Sequence, residues 1–535
     1  MTAPAAHQVD ADVAIVGSGF GGALTALLLR QLGRSVVLLE RGRHPRFAIG
    51  ESSTPLANLL LEELADRYGL PRLRAFSKWG TWRRAHPEVA CGLKRGFTFF
   101  RHVRGQPFAD GPSHEHQLLV AASPHDEVAD THWYRPDFDA FLVREAETAG
   151  AIHLDEATLG GARFDHHGAV LEGARGGRGL QVTARFVIDA SGPRGFLPRA
   201  LGLPEAAPRF MPATEGLYTH FVDVARWDQL VSSESIPPYP VDDAALHHVF
   251  PGGWIWVLRF ANGITSAGAA LSSERARSLR LEEGEAAWKR LLSDLPSVEA
   301  QFERARAVHP FVHAPRVASR TATVGGRRWA MLPSAAGVID PLLSTGFPLN
   351  LLGIGRLVAI LEETWERDEQ KEALDRYART TQDELDATER LVAALYASMD
   401  DFALFKRLTL LYFAAASFSE TVRRLGRPEK ARGFLLHADE RFGPELRGGC
   451  DEALGRPRAG ARDRLIERID RAIEPFDVAG LGDRSRRDWY PVRAEDLVHA
   501  APKTGATSDE VWALLERCGF TAGASATRPD GVLTR

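Results

Sequence analysis

Hydrophobic and polar positions fall into two periods along the chain, and the change of period marks the elements. From Asp12 to Glu40 the chain reads DVAIVGSGFGGALTALLLRQLGRSVVLLE. The unbroken apolar run 13–16 predicts a buried strand, 23–32 an apolar helix stopped by Gly33, and 35–39 a second buried strand. Leu56, Leu59, Leu60 and Leu64 share one face of a helix opened by Pro55. Phe138, Phe141, Leu142 and Ala146 do the same in a helix ending near Gly150. Short strands with turns follow over 151–186, and the glycine cluster at 173–179 predicts a hairpin loop. Residues 186–188 form another buried strand with a sharp exit at Asp189-Ala190-Ser191-Gly192. A mostly β region is predicted from 205 to 320, in which Trp254 and Trp256 point to one face of a strand. Its partner strand is 265–271, and 274–295 reads as helical. After a last buried strand at 329–332 come an apolar helix over 347–361 and a helical region to about 440. The Gly, Pro and Arg-rich 443–460 reads as a linker, 461–473 and 508–518 as helices, and the end TRPDGVLTR as disordered. No internal repeat is visible.

The chemistry concentrates first in Gly17-Ser18-Gly19-Phe20-Gly21-Gly22, a G-x-G-x-x-G directly after a strand and opening a helix. Gly17 allows the tight turn, Gly19 lets a pyrophosphate approach the backbone, and Gly22 lets helix pack on strand. The helix start offers unpaired N–H groups to phosphate. Glu40, eighteen residues after Gly22, is placed to accept hydrogen bonds from a ribose. Strand, turn, helix, strand and acid together predict an adenine dinucleotide site. Ser344-Thr345-Gly346 opens the 347–361 helix, where bare N–H groups favour an anion; capping by Ser344 is the ordinary alternative, and the two are compatible. Lys78 stands among aromatics in SKWGTW, read either as a functional amine or as an exposed lysine whose stem packs on Trp79.

Composition narrows the class. The length of 535 residues implies two or three domains, and 44% hydrophobic with 25% charged residues is a globular balance. A net charge of −4 gives no reason to expect nucleic acid or an anionic membrane surface. Three scattered cysteines argue against a disulfide framework and for a cytoplasmic location. The N-terminal segment lacks a basic region followed by an apolar core, so no signal peptide is expected. The longest nearly apolar run, 408–418, is shorter than the roughly 18–20 residues of a membrane span and predicts a buried helix. His114, His116 and His125 lack ligand companions at suitable spacing, so no metal site is expected.

Taken in order, GSGFGG (17–22), Ile49-Gly50-Glu51-Ser52, Lys78, YRPDFD (134–139), DASG (189–192), GWIW (253–256) and DPLLSTG (340–346) resemble the flavin-dependent halogenases, the tryptophan-halogenase-like branch of the FAD monooxygenases, over about residues 10–360. The resemblance implies an α/β fold: a Rossmann-like FAD-binding domain of the single-component flavin monooxygenase type (10–45, 120–204 and 320–360), a β-sheet substrate region (46–119 and 205–319), and a C-terminal helical extension (361–535). It implies FAD supplied reduced by a separate flavin reductase, and chloride or bromide oxidised to hypohalous acid. Lys78 matches the lysine that delivers the oxidised halogen to an electron-rich ring, with burial among Phe76, Trp79 and Trp82. Gly17, Gly19, Phe20, Gly22, Glu40, Arg41, Arg135, Asp189, Gly192, Asp340 and Pro341 match the cofactor's surroundings. Ser344, Thr345 and Gly346 match the halide site; Trp254, Trp256 and Leu343 match the channel and substrate wall.

Three positions depart from the family. Leu258-Arg259 replaces the Ile-Pro that follows the paired tryptophans, and Pro333-Ser334 replaces a Gly-Asp that would bond the flavin chain. Leu343 stands where tryptophan halogenases carry a glutamate. Leucine cannot hold a proton, which argues against free tryptophan and for an activated phenol- or pyrrole-like ring, free or carrier-tethered. The alternative is an FAD-dependent monooxygenase of the same fold without halide chemistry; a third reading is a flavin-binding protein without turnover.

Overall fold

The computed structural model describes residues 7–231 and 235–520; the TRPDGVLTR end and residues 1–6 of the N-terminal segment lie outside the described residues. Among the described residues two large sheets dominate, of eight and nine strands. The first runs Gly325–Gly326, Trp329–Met331, Arg178–Asp189, His7–Val16, Val36–Leu39, Ile152–Leu154. From Trp329–Met331 to Ile152–Leu154 the five strands are parallel, pairing Val13 with Phe186 on one side and with Val36 on the other. The apolar run 13–16 sits in the middle of this sheet with both faces covered, which is why it reads as continuous rather than alternating. Helix Phe20–Gln31 packs against helices Arg135–Thr148 and Gly346–Glu363. The three helices therefore bring residues far apart in sequence to the carboxyl ends of the strands.

The second sheet is mostly antiparallel and carries strand Gly253–Arg259 between Thr265–Ser272 and Ala245–Phe250. Gly96–Arg101 pairs parallel to Ala245–Phe250, and Gln117–Ala121 and Trp489–Tyr490 extend the edge. Strand alternation divides its side chains between two cores. Trp254, Trp256, Phe97 and Phe99 face the main core, while Ile255, Val257 and Phe100 face a second core with Trp288, Leu291 and Phe302. The C-terminal region thus contributes a strand, not helices alone.

The 274–295 span is helical as expected, but Arg280 and Gly284 take positive φ (52° and 60°) and divide it into Ser273–Leu279 and Glu285–Ser293. The expected linker 443–460 contains helix Phe442–Leu454, followed by helix Ala459–Ile473. Its Phe442, Leu446, Cys450 and Ala453 are buried along one face. A Cβ at Gly448 would lie 2.3 Å from a guanidinium nitrogen of Arg468 on the next helix, so this glycine sits inside a helix and against a side-chain end, not in a linker. The membrane test also changes. Within Leu342–Glu363 and Phe402–Arg424 the helices are long and apolar enough to cross a bilayer, but most of each is buried in the protein core.

Candidate functional site

The glycine turn joins strand His7–Val16 to helix Phe20–Gln31 with little spare room. Gly17 has φ +102°, and a Cβ there would lie 2.6 Å from the Ala190 carbonyl oxygen. A Cβ at Gly22 would lie 1.9 Å from the Gly17 oxygen. No side chain caps the helix and no acid stands in its first turn, so its opening N–H groups face the turn unscreened. Beside Gly19 the guanidinium nitrogens of Arg46 and Arg135 come within 3.3 and 3.5 Å of a Cβ position. Arg41 is exposed; Arg46, not expected from sequence, is the arginine that pairs with Glu40, at 3.6 Å. Glu40 accepts the Ser18 N–H (3.0 Å) and hydroxyl (3.1 Å) and the Gly42 N–H (2.9 Å). Burial pushes its carboxyl up, but Arg46 and these donors outweigh burial and hold it below the usual value.

Two neighbouring residues turn out to be scaffolding. Arg135 forks onto Asp139 (2.7 and 2.8 Å) and donates to the Ile49 and Gly50 carbonyls, fixing the segment that contains Glu51. Asp189 is fully buried and spends both oxygens on its own turn, accepting from Ser191 N–H, Ser191 hydroxyl and Leu197 N–H. It shapes the strand exit containing Gly192 (φ +81°). Glu51 itself is tied to the second sheet by His220, whose Nε2 lies 2.8 Å from its Oε1 with both side chains buried.

Lys78 is the residue before helix Trp79–Ala85 and is half-buried. Its backbone is pinned on both sides. Ser77 donates to Glu62 (2.9 Å), Glu62 accepts from Arg424 (3.2 Å), and the Trp79 N–H reaches the Ala129 carbonyl (2.9 Å). The expected aromatic enclosure does not form. Phe76 and Trp82 turn into the core against Phe138, and the Trp79 ring lies under Arg83. Instead Lys78 lines a cavity of about 180 Å³ with Phe97, Tyr412, Phe413, Glu420 and Leu515 among its walls. Among the described residues its ammonium has no hydrogen-bond or ion-pair partner. Trp254, Trp256 and Leu343 are not part of that wall: all three are buried in the main core.

Beneath the cavity lies a second lysine. Lys94 is fully buried, donates to the Ser53 carbonyl, and sits 3.7 Å above the Phe97 ring that lines the cavity. Burial lowers Lys94 and raises its neighbour Asp130, which accepts from Asn58 at 2.8 Å.

The DPLLSTG stretch forms a strained turn. Leu343 and Ser344 both take positive φ (65° and 55°), and Thr345, not Ser344, is the N-cap of helix Gly346–Glu363, with no side-chain cap and no acid in the first turn. Ordinary capping by Ser344 is therefore excluded. Pro341 opens the preceding 3₁₀ turn, and Asp340 accepts the Leu342 N–H at 3.0 Å. The Phe347 ring packs on Phe20 and Trp133 at 4.9 and 4.3 Å, locking this helix to helix Phe20–Gln31. At the replaced Gly-Asp, Asn350 ties Pro333-Ser334 to the next helix. Its Oδ1 accepts the Ser334 N–H and its amide donates to the Gly346 carbonyl, both at 3.0 Å. Arg259 is held by Asp242 (3.0 Å) and the Val224 carbonyl (3.0 Å) at the far end of its strand. No group of three His, Cys, Asp or Glu among the described residues is placed to hold a metal ion.

Sequence reading missed what the C-terminal region adds: Tyr412, Glu420 and Leu515 wall the cavity, and Arg424 braces the lysine loop. Those helices carry no motif, and only their apolar spacing was visible.

Comparison with known proteins gives the family and the fold. The tryptophan halogenase family model matches residues 131–409, and an NAD(P)-binding Rossmann-like model matches 15–57. Monodechloroaminopyrrolnitrin halogenase PrnC of Pseudomonas fluorescens is 30% identical over 74% of this chain and 69% of its own length. Tetracycline 7-halogenase of Kitasatospora aureofaciens is 29% identical over 76% and 73%. The crystal structure of halogenase PltM in complex with phloroglucinol and FAD superposes with a TM-score of 0.78 at 25% identity, covering 89% of this chain and 99% of that one.

Proposed function

The chain belongs to the tryptophan halogenase family of flavin-dependent enzymes, and from that premise we propose that it halogenates a small electron-rich aromatic, phenol- or pyrrole-like, with Lys78 carrying the oxidised halogen to the ring. The observation that carries this reading is Lys78, half-buried on the wall of an apolar cavity, with no hydrogen-bond or ion-pair partner for its ammonium among the described residues. An ammonium so placed hydrogen-bonds hypohalous acid and presents it to whatever ring fills the cavity. A cavity of about 150 Å³ holds benzene, so about 180 Å³ suits one substituted ring, free or as the head of a carrier-bound chain.

The glycine turn fits FAD. Arg46 and the open helix start would hold the pyrophosphate, with Arg135 anchoring the adjoining segment. Glu40 retains lone pairs for the ribose. Bound reduced FAD supplies the electrons by which oxygen and halide become hypohalous acid. Ser344, Thr345 and Gly346 would seat chloride or bromide at the uncapped helix start. With Leu343 in the core, no carboxylate stands at that position to help an unactivated ring. That favours rings that stabilise their own cationic intermediate, in line with the phloroglucinol and pyrrolnitrin names among the relatives. A single G-x-G-x-x-G and no second nicotinamide fingerprint support a separate flavin reductase as the electron source. Three free cysteines fit a reducing cytoplasm.

The test couples the protein to a flavin reductase with NADH, oxygen, bromide and a panel of phenols, pyrroles and indoles. Brominated phenol or pyrrole, recognised by its isotope doublet, is expected. Lys78→Ala should lose at least about 10³-fold of that product, the scale on which a general catalytic group contributes, with FAD affinity retained. A hydroxylated product indifferent to halide would replace this reading with an FAD monooxygenase.

A further inference from the structure

Three buried side chains from separate parts of the chain form one hydrogen-bonded line behind the strained turn. The Trp254 indole N–H donates to the Tyr396 hydroxyl oxygen at 3.1 Å, and that hydroxyl donates to Asp340 Oδ2 at 2.8 Å. The other oxygen of Asp340 accepts the Leu342 N–H at 3.0 Å. Trp254, Tyr396 and Asp340 are 1%, 7% and 5% exposed, so each bond is made in the core. Directly after Leu342 come Leu343 and Ser344, both left-handed, and then the start of helix Gly346–Glu363. Consecutive left-handed non-glycine residues persist only where surrounding bonds over-determine them.

We propose that Tyr396, on helix Glu369–Ala397, is a positioning residue for the halide: through Asp340 it holds the 340–346 turn in the shape that points the opening N–H groups of the next helix at the anion. This rests on the reading of Ser344, Thr345 and Gly346 as the halide site. Asp340 needs such a partner. Burial pushes its carboxyl up to about 6, against the Leu342 N–H and Tyr396 hydroxyl that favour the ionised form. Without the hydroxyl, Asp340 Oδ2 loses its 2.8 Å donor and the Trp254 N–H its 3.1 Å acceptor, and the indole beside the carboxyl is left to make up only part of that loss. The carboxyl group then has reason to move or take up a proton, and the Leu342 bond that starts the turn goes with it. The phosphate turn is held by its own set, Glu40, Ser18 and Arg46, and does not share this line.

Tyr396→Phe keeps the ring and removes only the hydroxyl. In chloride-free buffer two quantities are measured: the KM for bromide in the coupled reaction, and, without turnover, the bromide concentration at half-maximal rise in melting temperature. Both should increase about tenfold or more, the scale of a lost hydrogen bond to a charged group. The FAD dissociation constant and the KM for the aromatic should stay within about threefold. In an Asp340→Asn background the same change should add less than about threefold, because the line is already broken. An unchanged bromide KM and midpoint, even with a lower melting temperature, would overturn the proposal, as would an undiminished effect in the Asp340→Asn background. A wild-type protein with no bromide dependence in either measurement would remove the halide reading itself, and this inference with it.

Discussion

Two lysines sixteen positions apart show how differently the fold treats one residue type. Lys94 is sealed in the core, bonded to the Ser53 carbonyl and laid over Phe97, and its burial favours the neutral amine. Lys78 stays at a cavity wall with its neighbours' bonds pinning the loop and, among the described residues, no hydrogen-bond acceptor for its ammonium. The first is fixed by its surroundings; the second is fixed in place but open to a ligand. Glu40 gives the clearest pH expectation at this scale. Burial opposes its charge, but Arg46 and the Gly42 and Ser18 donors win, so its folded pKa lies below the ordinary 4.5. A lowered carboxyl contributes stability that is present in full above about 4.5 and is lost as pH falls through the folded value. Glu40→Gln should therefore melt below wild type at pH 7, and the gap should close progressively below pH about 4.5. Paired melting curves across pH 3 to 8 measure this, and a gap constant across that range would contradict it.

At the scale of elements, the glycines divide by what they approach. At Gly22 an added methyl meets backbone, the Gly17 carbonyl at 1.9 Å, and backbone cannot step aside. Gly22→Ala should abolish FAD binding or folding, read by flavin retention on purification. At Gly448 the methyl meets only the end of the Arg468 side chain, which can swing away at the cost of its exposed pairing with Glu445. Alanine also gains about 1 kcal/mol of helix propensity over glycine, while an exposed ion pair is worth about 0–1 kcal/mol. Gly448→Ala should leave the melting temperature within about 3 °C of wild type. Both residues look alike in sequence, yet one follows a strand and opens a phosphate helix, a context with a physical meaning. The other sits in a Gly- and Pro-rich stretch that reads as a linker until its buried face is counted.

For the whole molecule, the C-terminal third completes the site. Helix Phe402–Arg424 supplies Tyr412, Phe413 and Glu420 to the cavity and Arg424 to the lysine loop, and helix Ser508–Arg517 supplies Leu514 and Leu515. A chain ended after Ala506 would open that wall while leaving the phosphate turn untouched. Its KM for the aromatic should rise about tenfold, and hypohalous acid should escape, detected by halogenation of monochlorodimedone added to the solution. FAD affinity should be unchanged; loss of FAD would show that the last helix supports the fold rather than the cavity.

The sequence by itself determined the dinucleotide module and the order of its motifs. Strand, glycine turn, helix and acid are neighbours in the chain, and their period and spacing are local quantities. It also marked Lys78, as a lysine among aromatics, and the helix that opens at Ser344-Thr345-Gly346. Only tertiary structure decided which residues face them. Arg46 rather than Arg41 approaches Glu40, Asp189 serves its own turn, and Trp254 turns to the core to bond Tyr396, 142 residues away. Arg424 reaches Glu62 across 362 residues. Such pairings leave no periodic trace in a single chain, because a buried partner is selected by the packing of whole sheets and helices and not by any neighbour in sequence.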